Sequence, residues 1–181
     1  MNKIVVVFQS KYGATRKYAE WIAKELSCDL LDGRTIKAGD LTPYDTIIFG
    51  GGIYAGSVNG IKRLTKNFSS LTGRNLVLFT CGLADPSNAA SREQIDKSLD
   101  QLLSPDMRKK VRRFYFRGAM DYSKLSLMHR GMMTMVCKVL ARKAPSSLAD
   151  EEKEMLANYG KAVDFTNKEA ILPLINDIRG F

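Results

Sequence analysis

The chain has 181 residues, which suits one domain with a hydrophobic core, and its apolar content of 45% and charged content of 26% are ordinary for a globular protein. No apolar run approaches the roughly 20 residues that a transmembrane helix needs, and the N-terminus lacks a signal-peptide cleavage pattern, so we expect a cytoplasmic protein. Three widely spaced cysteines and a single histidine argue against a disulfide framework and a zinc site, and we expect no metal.

Five short segments rich in β-branched or aromatic residues predict strands. In chain order they are Lys3–Gln9, Asp29–Asp32, Thr46–Phe49, Asn75–Thr80 and Val111–Arg117. The polar alternation of the fifth segment is typical of an edge strand. Helical segments lie between the strands, and this alternation predicts an α/β, doubly wound, parallel sheet in a single domain, residues 1–181.

Helix boundaries follow from capping residues and apolar spacing. The first helix runs to about Leu26 and a second covers Ile61–Phe68. The dipeptide Asp85-Pro86 is expected to open a third, with Asp85 as the N-cap. A last helix is predicted to start near Ser147 and Asp150 and to carry its apolar side chains inward. Those side chains are Met155, Leu156, Tyr159 and Val163.

The net charge of +9 lies in one segment. Residues 106–143 hold 11 Lys and Arg against two acids, while the rest of the chain holds 17 of each sign. This predicts an anionic partner. One candidate is the inner face of a membrane, contacted peripherally through residues 108–143; others are an acidic redox partner protein and a propionate-bearing porphyrin. No nucleic-acid motif is present, so nucleic acid is not expected.

The same segment has a simpler interpretation, an ordinary packed helix whose apolar side chains lie in a core or a homodimer interface. Those side chains are Met132, Met135, Val136, Val139 and Leu140. On either interpretation we expect His129 on the surface of the segment rather than at a catalytic position.

The strongest motif follows the first strand and opens the first helix. It consists of Ser10, Lys11, Tyr12, Gly13, Ala14 and Thr15. Unpaired backbone N–H groups at a helix start suit a phosphate, to which hydroxyl groups can also donate. The loop is neither a dinucleotide nor an ATP fingerprint. The alternative is an ordinary strand–helix turn capped by Ser10.

Two further loops are expected at the same edge of the sheet, where ligands of doubly wound folds bind. The first, after the third strand, spans Gly50–Gly56 and could hold a planar ring against its backbone. Its candidate cofactor-binding residues are Gly51, Gly52, Ile53, Tyr54, Ala55 and Gly56. The second loop could line the other side of the ring. Its candidates are Thr80, Cys81, Gly82, Leu83 and Asp85, although a turn with a helix cap, and a small buried hydrophobe at Cys81, explain it as well.

The segments VVVFQSKYGATRKYAEWIAKEL and YDTIIFGGGIYAG resemble the flavodoxin superfamily, and the resemblance extends over essentially the whole chain. It implies a flavodoxin-like five-stranded parallel sheet of order 2-1-3-4-5 that binds FMN, with a basic helical insertion after strand five at about residues 119–147. Within the superfamily the chain is most similar to flavodoxin-type menaquinone-dependent protoporphyrinogen dehydrogenases and, equally, to related small flavodoxin-domain proteins. Compared with the dehydrogenases, its insertion has more Met and Lys and less Arg, Tyr and Trp.

That similarity implies an FMN-dependent oxidoreductase that oxidises a porphyrinogen-like substrate and passes electrons to a quinone. The flavin would perform the chemistry, so no catalytic side chain is assigned. The alternatives are a flavodoxin-type electron carrier without its own substrate and an interaction module whose basic segment holds a partner.

Overall fold

The computed structural model describes residues 2–54 and 56–180, apart from the side chain of Ala38. Its strands, in chain order, are β1 (Ile4–Gln9), β2 (Asp29–Asp32), β3 (Thr46–Tyr54), β4 (Ser57–Val58), β5 (Asn75–Gly82), β6 (Val111–Arg117), β7 (Ala119–Asp121) and β8 (Ala162–Asp164). Five of them form a parallel sheet of order β2-β1-β3-β5-β6. Since the short β4 only pairs with the end of β3, this is the predicted 2-1-3-4-5 order, which is confirmed.

The helices are α1 (Ala14–Leu26), α2 (Ile61–Asn67), α3 (Ala89–Leu102), α4 (Pro105–Lys110), α5 (Leu127–Leu140), α6 (Asp150–Ala157) and α7 (Leu172–Arg179). None of the helices in the described part of the chain is long and apolar enough to cross a membrane.

The strands are buried on both faces, as their continuous apolar sequence predicts. In β1, Val5 and Val7 face one core cluster, which includes side chains of α2 and α3. Val6 and Phe8 face the other, which includes side chains of α1 and α7. This alternation follows from the period of two in a strand. The sheet is therefore the middle layer, and its carboxyl edge is where loops can form a site.

Two predicted helix boundaries are wrong. The third helix starts at Ala89, because the side chain of Asn88 accepts the N–H groups of Ala90 and Ser91. Asp85 instead accepts hydrogen bonds from the N–H and hydroxyl of Ser87 and forms a local turn.

The predicted last helix is also different. It ends at Ala157, and Val163 lies in β8, which pairs antiparallel with β7. The last helix that packs an apolar face on the sheet is instead α7. It does so through Leu174, Ile175 and Ile178, and the sequence pattern did not predict it.

The basic insertion after β6 folds back over the carboxyl edge of the sheet. Its helix α5 buries Cys137 and Leu140 and packs against α6. Two hydrogen bonds of Tyr18 hold the chain just before the insertion and well after it. The Tyr18 hydroxyl donates to the carbonyl oxygen of Arg117 at 2.8 Å and accepts the N–H of Asn167 at 3.0 Å. The insertion is thus attached to α1, the helix that follows the predicted phosphate loop.

Candidate functional site

The predicted phosphate loop lies between the end of β1 and the start of α1. Gly13 is the N-cap at φ +102°, a backbone conformation that favours glycine, and no side chain caps the helix. The hydroxyl of Ser10 accepts the N–H of Gly13 itself at 3.1 Å, one position before the first turn. The first turn of α1 carries no acid. The start of this helix therefore presents N–H groups to an anion.

Thr15, in that first turn, is buried, and its side chain lies within hydrogen-bonding reach of Cys81 at the end of β5. Burial raises the pKa of the Cys81 thiol to about 12, although the contact with Thr15 lowers it somewhat. A thiol with such a pKa stays protonated and does not act as a nucleophile. Cys81 is a small apolar wall residue.

The glycine run after the predicted third strand is not a loop, so that prediction is wrong. β3 continues to Tyr54, and the glycines are packing positions within it. A Cβ on Gly50 would lie 2.0 Å from the Phe79 ring, and one on Gly51 would lie 2.5 Å from Val58. A Cβ on Gly52 would lie 2.8 Å from the Tyr54 hydroxyl. The glycines thus make room for neighbouring side chains.

A cavity of about 150 Å³, partly open to solvent, lies at the carboxyl edge of the sheet. Eight of the predicted site residues line it, and they come from all three predicted loops. They are Tyr12, Ala14, Thr15, Ile53, Tyr54, Cys81, Gly82 and Leu83. The structure therefore brings together the ends of β1, β3 and β5, as the rule for doubly wound sheets requires.

Several other predicted site residues do not line this cavity. Gly51 and Gly52 are inside the sheet, and Gly56 is in the exposed turn after β3 with φ +74°. Thr80 faces the opposite side of β5 from Cys81. Asp85 lies 3.7 Å from Arg117 in an ion pair. Ser10, Lys11 and Gly13 form the phosphate loop beside the cavity, whereas Ala55 lies outside the described residues.

The outer wall of the cavity comes from the basic insertion, which the predicted site did not include. Its residues are Gly118, Ala119, Met120, Leu125, His129, Met132 and Met133. One signal was present in the sequence: β6 is a neighbour of β5, so its carboxyl end at Arg117 must emerge beside the end of β5.

Three aromatic rings close the cavity. The rings of Tyr54 and His129 stack with centroids 5.3 Å apart, and Tyr12 meets Tyr54 edge to face at 5.6 Å. The Tyr12 hydroxyl lies 2.7 Å from His129 Nδ1. His129 is half-exposed, and α5 also brings it to the phosphate loop, 117 positions away in sequence, where it lines the cavity.

The electrostatics of this group favour neutral rings. Burial and the nearby charge of Lys11 lower the pKa of His129 below 6.5. Neutral imidazole can accept the Tyr12 hydroxyl proton in a hydrogen bond. Burial alone would raise the pKa of Tyr12, but its hydrogen bond with Ser126 and the charge of Lys11 outweigh that effect, and the net change is downward.

Tyr54 also contacts the phosphate loop. The backbone N–H groups of Tyr12 and Lys11 slightly lower the pKa of the Tyr54 hydroxyl, which places that hydroxyl near the loop. Burial raises the pKa of Tyr54 to about 12, with a smaller contribution from Tyr12, so the hydroxyl stays protonated at any physiological pH. The hydroxyl thus lies beside two N–H groups that would donate hydrogen bonds to a phosphate.

Part of the basic surplus is paired within the chain. Arginines of β6 form ion pairs with acids from three helices: Arg112 with Asp177 at 3.0 Å, Arg113 with Asp100 at 2.8 Å and Arg117 with Glu154 at 2.6 Å. The guanidinium of Arg117 also lies 3.9 Å from the centre of the Phe165 ring. These cations hold the sheet edge and the C-terminal segments together, so they do not all serve an external anion.

Comparison with known proteins gives one family and a set of similar folds. The flavodoxin domain family matches residues 5–147. No curated protein matches the chain. An oxidised flavodoxin 2 from Bacillus cereus is 19% identical, with 62% of this chain and 84% of that chain covered and a TM-score of 0.42.

Two other solved structures are similar to the same degree. A flavoprotein from Lactobacillus acidophilus NCFM in complex with FMN is 15% identical, covers 65% of this chain and 93% of its own, and has a TM-score of 0.44. A flavodoxin from the domain Archaea is also 15% identical, with coverages of 71% and 92% and a TM-score of 0.42. The family match covers more than half of the chain and agrees with the strand order, and we conclude that this chain belongs to the flavodoxin domain family.

Proposed function

We propose that this protein is a redox protein that binds FMN at the carboxyl edge of its sheet. The observation that carries the proposal is the meeting of two features at one place: the uncapped, acid-free start of α1 and an apolar cavity formed by the ends of three adjacent parallel strands. Membership of the flavodoxin family supports FMN as the cofactor.

The residues present fit the chemical character of FMN. The start of α1 and the hydroxyl of Ser10 suit its phosphate. The floor of the cavity is built from small residues: a Cβ on Gly82 would lie 3.7 Å from Ile53, and one on Gly118 would lie 3.7 Å from Ala14. Backbone can therefore approach a planar ring closely.

The size of the cavity limits how FMN can bind. About 150 Å³ is less than the roughly 300 Å³ at the lower end of ordinary ligand pockets. The stacked pair of Tyr54 and His129 bounds the cavity on the side of α5. FMN therefore has to extend beyond this cavity, either into the adjoining space lined by Lys11, Tyr12 and Met120 or past these two rings once they separate.

Bound FMN would supply one-electron and two-electron transfer. The protein would contribute three things: N–H groups of α1 that hold the phosphate, the apolar side chains of Ile53, Leu83 and Met133 that exclude water, and the pair of Tyr12 and His129, which can hold a proton between Oη and Nδ1 at the edge of the cavity.

Our finer proposal is an enzyme that oxidises a porphyrinogen-like substrate and passes electrons to a quinone. What supports an enzyme over a carrier is the outer wall. An electron carrier must present its flavin edge to a partner protein, whereas here α5 covers the cavity with His129, Met132 and Met133. An apolar wall beside the flavin suits the apolar quinone more than it suits a protein partner. The second candidate, a soluble electron carrier, is supported by the flavodoxin family match.

The test of the cofactor site is titration of the apoprotein with FMN, in which binding is monitored by the quenching of flavin fluorescence. Gly13→Val forces a β-branched residue into φ +102° inside the phosphate loop and should weaken FMN binding at least about tenfold. Gly73→Val is the matched control, because Gly73 has φ +89°, equally open surroundings and no place in the cavity. Equal affinities in all three proteins would refute the site.

A second measurement separates the enzyme from the carrier. FMN-loaded protein is reduced anaerobically and mixed with a water-soluble menaquinone analogue. Complete flavin reoxidation within milliseconds to seconds, saturating with analogue concentration, supports a quinone-linked enzyme. Reoxidation that is slow and strictly linear in the analogue, together with rapid transfer to a redox protein such as cytochrome c, supports a carrier.

A further inference from the structure

The helix α5 exposes an unusual amount of apolar surface. Eight large apolar side chains in the described part of the chain are exposed, and six of them belong to α5. Four of these six are more than half exposed: Leu127 at 86%, Met135 at 69%, Met128 at 66% and Val139 at 54%. Apolar residues concentrated on one element in this way mark an interaction surface.

Five of these six side chains, all except Leu127, form one continuous strip. Met128, Met132, Met135 and Val139 follow one another at intervals of four, three and four residues, with Val136 beside them, which places them on one side of a helix. We call this set the apolar stripe. Over a helix of 14 residues it is about 20 Å long. The other side of α5 buries Cys137 and Leu140 and carries His129 into the cavity, so α5 is apolar on two sides.

The charged side chains of α5 and of the residues directly after it have a single sign. Residues 127–143 contain Arg130, Lys138, Arg142 and Lys143 and no acid. Arg130 donates to the carbonyl oxygen of Ser123 and Lys143 pairs with Glu152, whereas Lys138 and Arg142 are exposed and form no ion pair within the described residues. Two copies of this surface would repel each other, and an anionic surface would attract it.

We propose that the apolar stripe lies on the surface of an anionic lipid bilayer, with the stripe in the headgroup region and Lys138 and Arg142 among the lipid phosphates. The stripe contains only Met and Val, so no side chain on it can make a directional hydrogen bond. A bilayer requires none, and Lys, which flanks the stripe at Lys138, is depleted at protein interfaces. A helix with an apolar face and a flanking basic face is the form that interfacial anchors take.

This placement deepens the proposed function, although the docking itself does not rest on it. Met132 belongs both to the stripe and to the wall of the cavity. A bilayer on the stripe would therefore adjoin the outer wall of the FMN site. An apolar reactant dissolved in the bilayer could reach the cavity along α5 without crossing water.

The experiment is flotation of the full-length, FMN-loaded protein with vesicles of mixed phosphatidylglycerol and phosphatidylcholine, compared with phosphatidylcholine alone. The protein should float with the anionic vesicles and much less with the neutral ones. Lys138→Gln with Arg142→Gln should weaken partitioning about 25-fold, since each basic residue near an anionic surface contributes about fivefold. Met135→Glu should weaken it at least about tenfold, because it removes apolar burial and adds repulsion.

Matched controls carry the same chemical changes elsewhere. Lys62→Gln with Lys66→Gln removes two exposed charges from α2, and Leu172→Glu changes a half-exposed residue of α7. Both should float like the wild type. All the substituted side chains are at least half exposed or on the surface, so the variants should keep their unfolding midpoints, which urea titration checks.

Three results would overturn the proposal. The first is flotation no greater with anionic than with neutral vesicles. The second is stripe variants that float as well as their controls. The third is a wild-type dimer in sedimentation equilibrium that Met135→Glu dissociates, which would make a second copy the occupant of the stripe. Flotation is measured from the protein in the vesicle fraction, and FMN binding is measured from flavin absorbance. Apoprotein that still floats would therefore show that the membrane surface is right even if the cofactor site is wrong.

Discussion

Replacement of Tyr54 with phenylalanine should tighten FMN binding rather than weaken it. The Tyr54 hydroxyl lies near the N–H groups of Lys11 and Tyr12, which belong to the loop that we assign to the FMN phosphate, so we expect it to compete with the phosphate for them. The variant keeps the ring and removes this competition. A net hydrogen bond contributes about 0.5–1.5 kcal/mol, so the FMN dissociation constant should fall about two- to twelvefold.

A second variant tests the same competition by steric means. A Cβ on Gly52 would lie 2.8 Å from the Tyr54 hydroxyl and 2.9 Å from Cε2 of its ring. Gly52→Ala should therefore push the Tyr54 ring away from the loop and change the FMN affinity in the same direction as Tyr54→Phe. The two substitutions combined should give little more than either alone, because both remove one competitor.

The assay is titration of apoprotein with FMN at constant pH and salt, read by calorimetry and by flavin fluorescence. Tyr44→Phe is the control, since its hydroxyl donates to Asp29 at 2.6 Å, away from the cavity. Burial holds the pKa of Tyr54 at about 12, so its ionisation does not contribute at neutral pH. A tenfold loss of affinity in Tyr54→Phe would show that the hydroxyl helps to bind FMN, and the reasoning above would then be wrong.

Three further predictions concern stability, each measured as the free energy of unfolding in urea. The pKa of His129 lies below its unfolded value of 6.5, so the contribution of neutral His129 to the free energy of unfolding is full above pH 6.5 and declines below it. Wild type should therefore lose stability relative to His129→Gln as pH falls, and parallel pH profiles would contradict this. Arg117→Met should cost about 1–3 kcal/mol, and Glu154→Gln added to it should recover part of the loss; full additivity would refute the pairing. Gly50→Ala should cost at least about 1–3 kcal/mol, relieved by Phe79→Leu, and an unrelieved loss would count against the ring contact.

Local sequence decided most of the elements of this fold. The run from Ile4 to Gln9 has no polar alternation, which is why it could be assigned to a buried parallel strand. The five strand–helix alternations then predicted a doubly wound parallel sheet, and the flavodoxin resemblance implied its order. Boundaries were less determined. Asp85 and Asn88 are both good N-caps, and only the hydrogen bonds of Asn88 show which of them starts α3.

The glycines of β3 show why one sequence feature can have two origins. Four glycines between Gly50 and Gly56 suggested a loop that lies flat on a ring, yet Gly50 is glycine because the Phe79 ring lies over it. That ring is contributed by β5, so the reason is a tertiary contact that no local pattern records. The same holds for Thr80 and Cys81, which face opposite sides of the sheet. Which of the two faces the cavity depends on the register of β5 in the sheet.

The sequence by itself determined the strand–helix alternation, the candidate phosphate loop at Ser10–Thr15 and the basic character of the insertion, because each depends on residues that are close along the chain. Only the tertiary structure placed His129 against Tyr12 and Tyr54 and divided α5 into an inner wall and an exposed stripe. The physical reason is that an amphipathic pattern shows which residues share a helix face, whereas the surface that covers each face is set by elements distant in sequence.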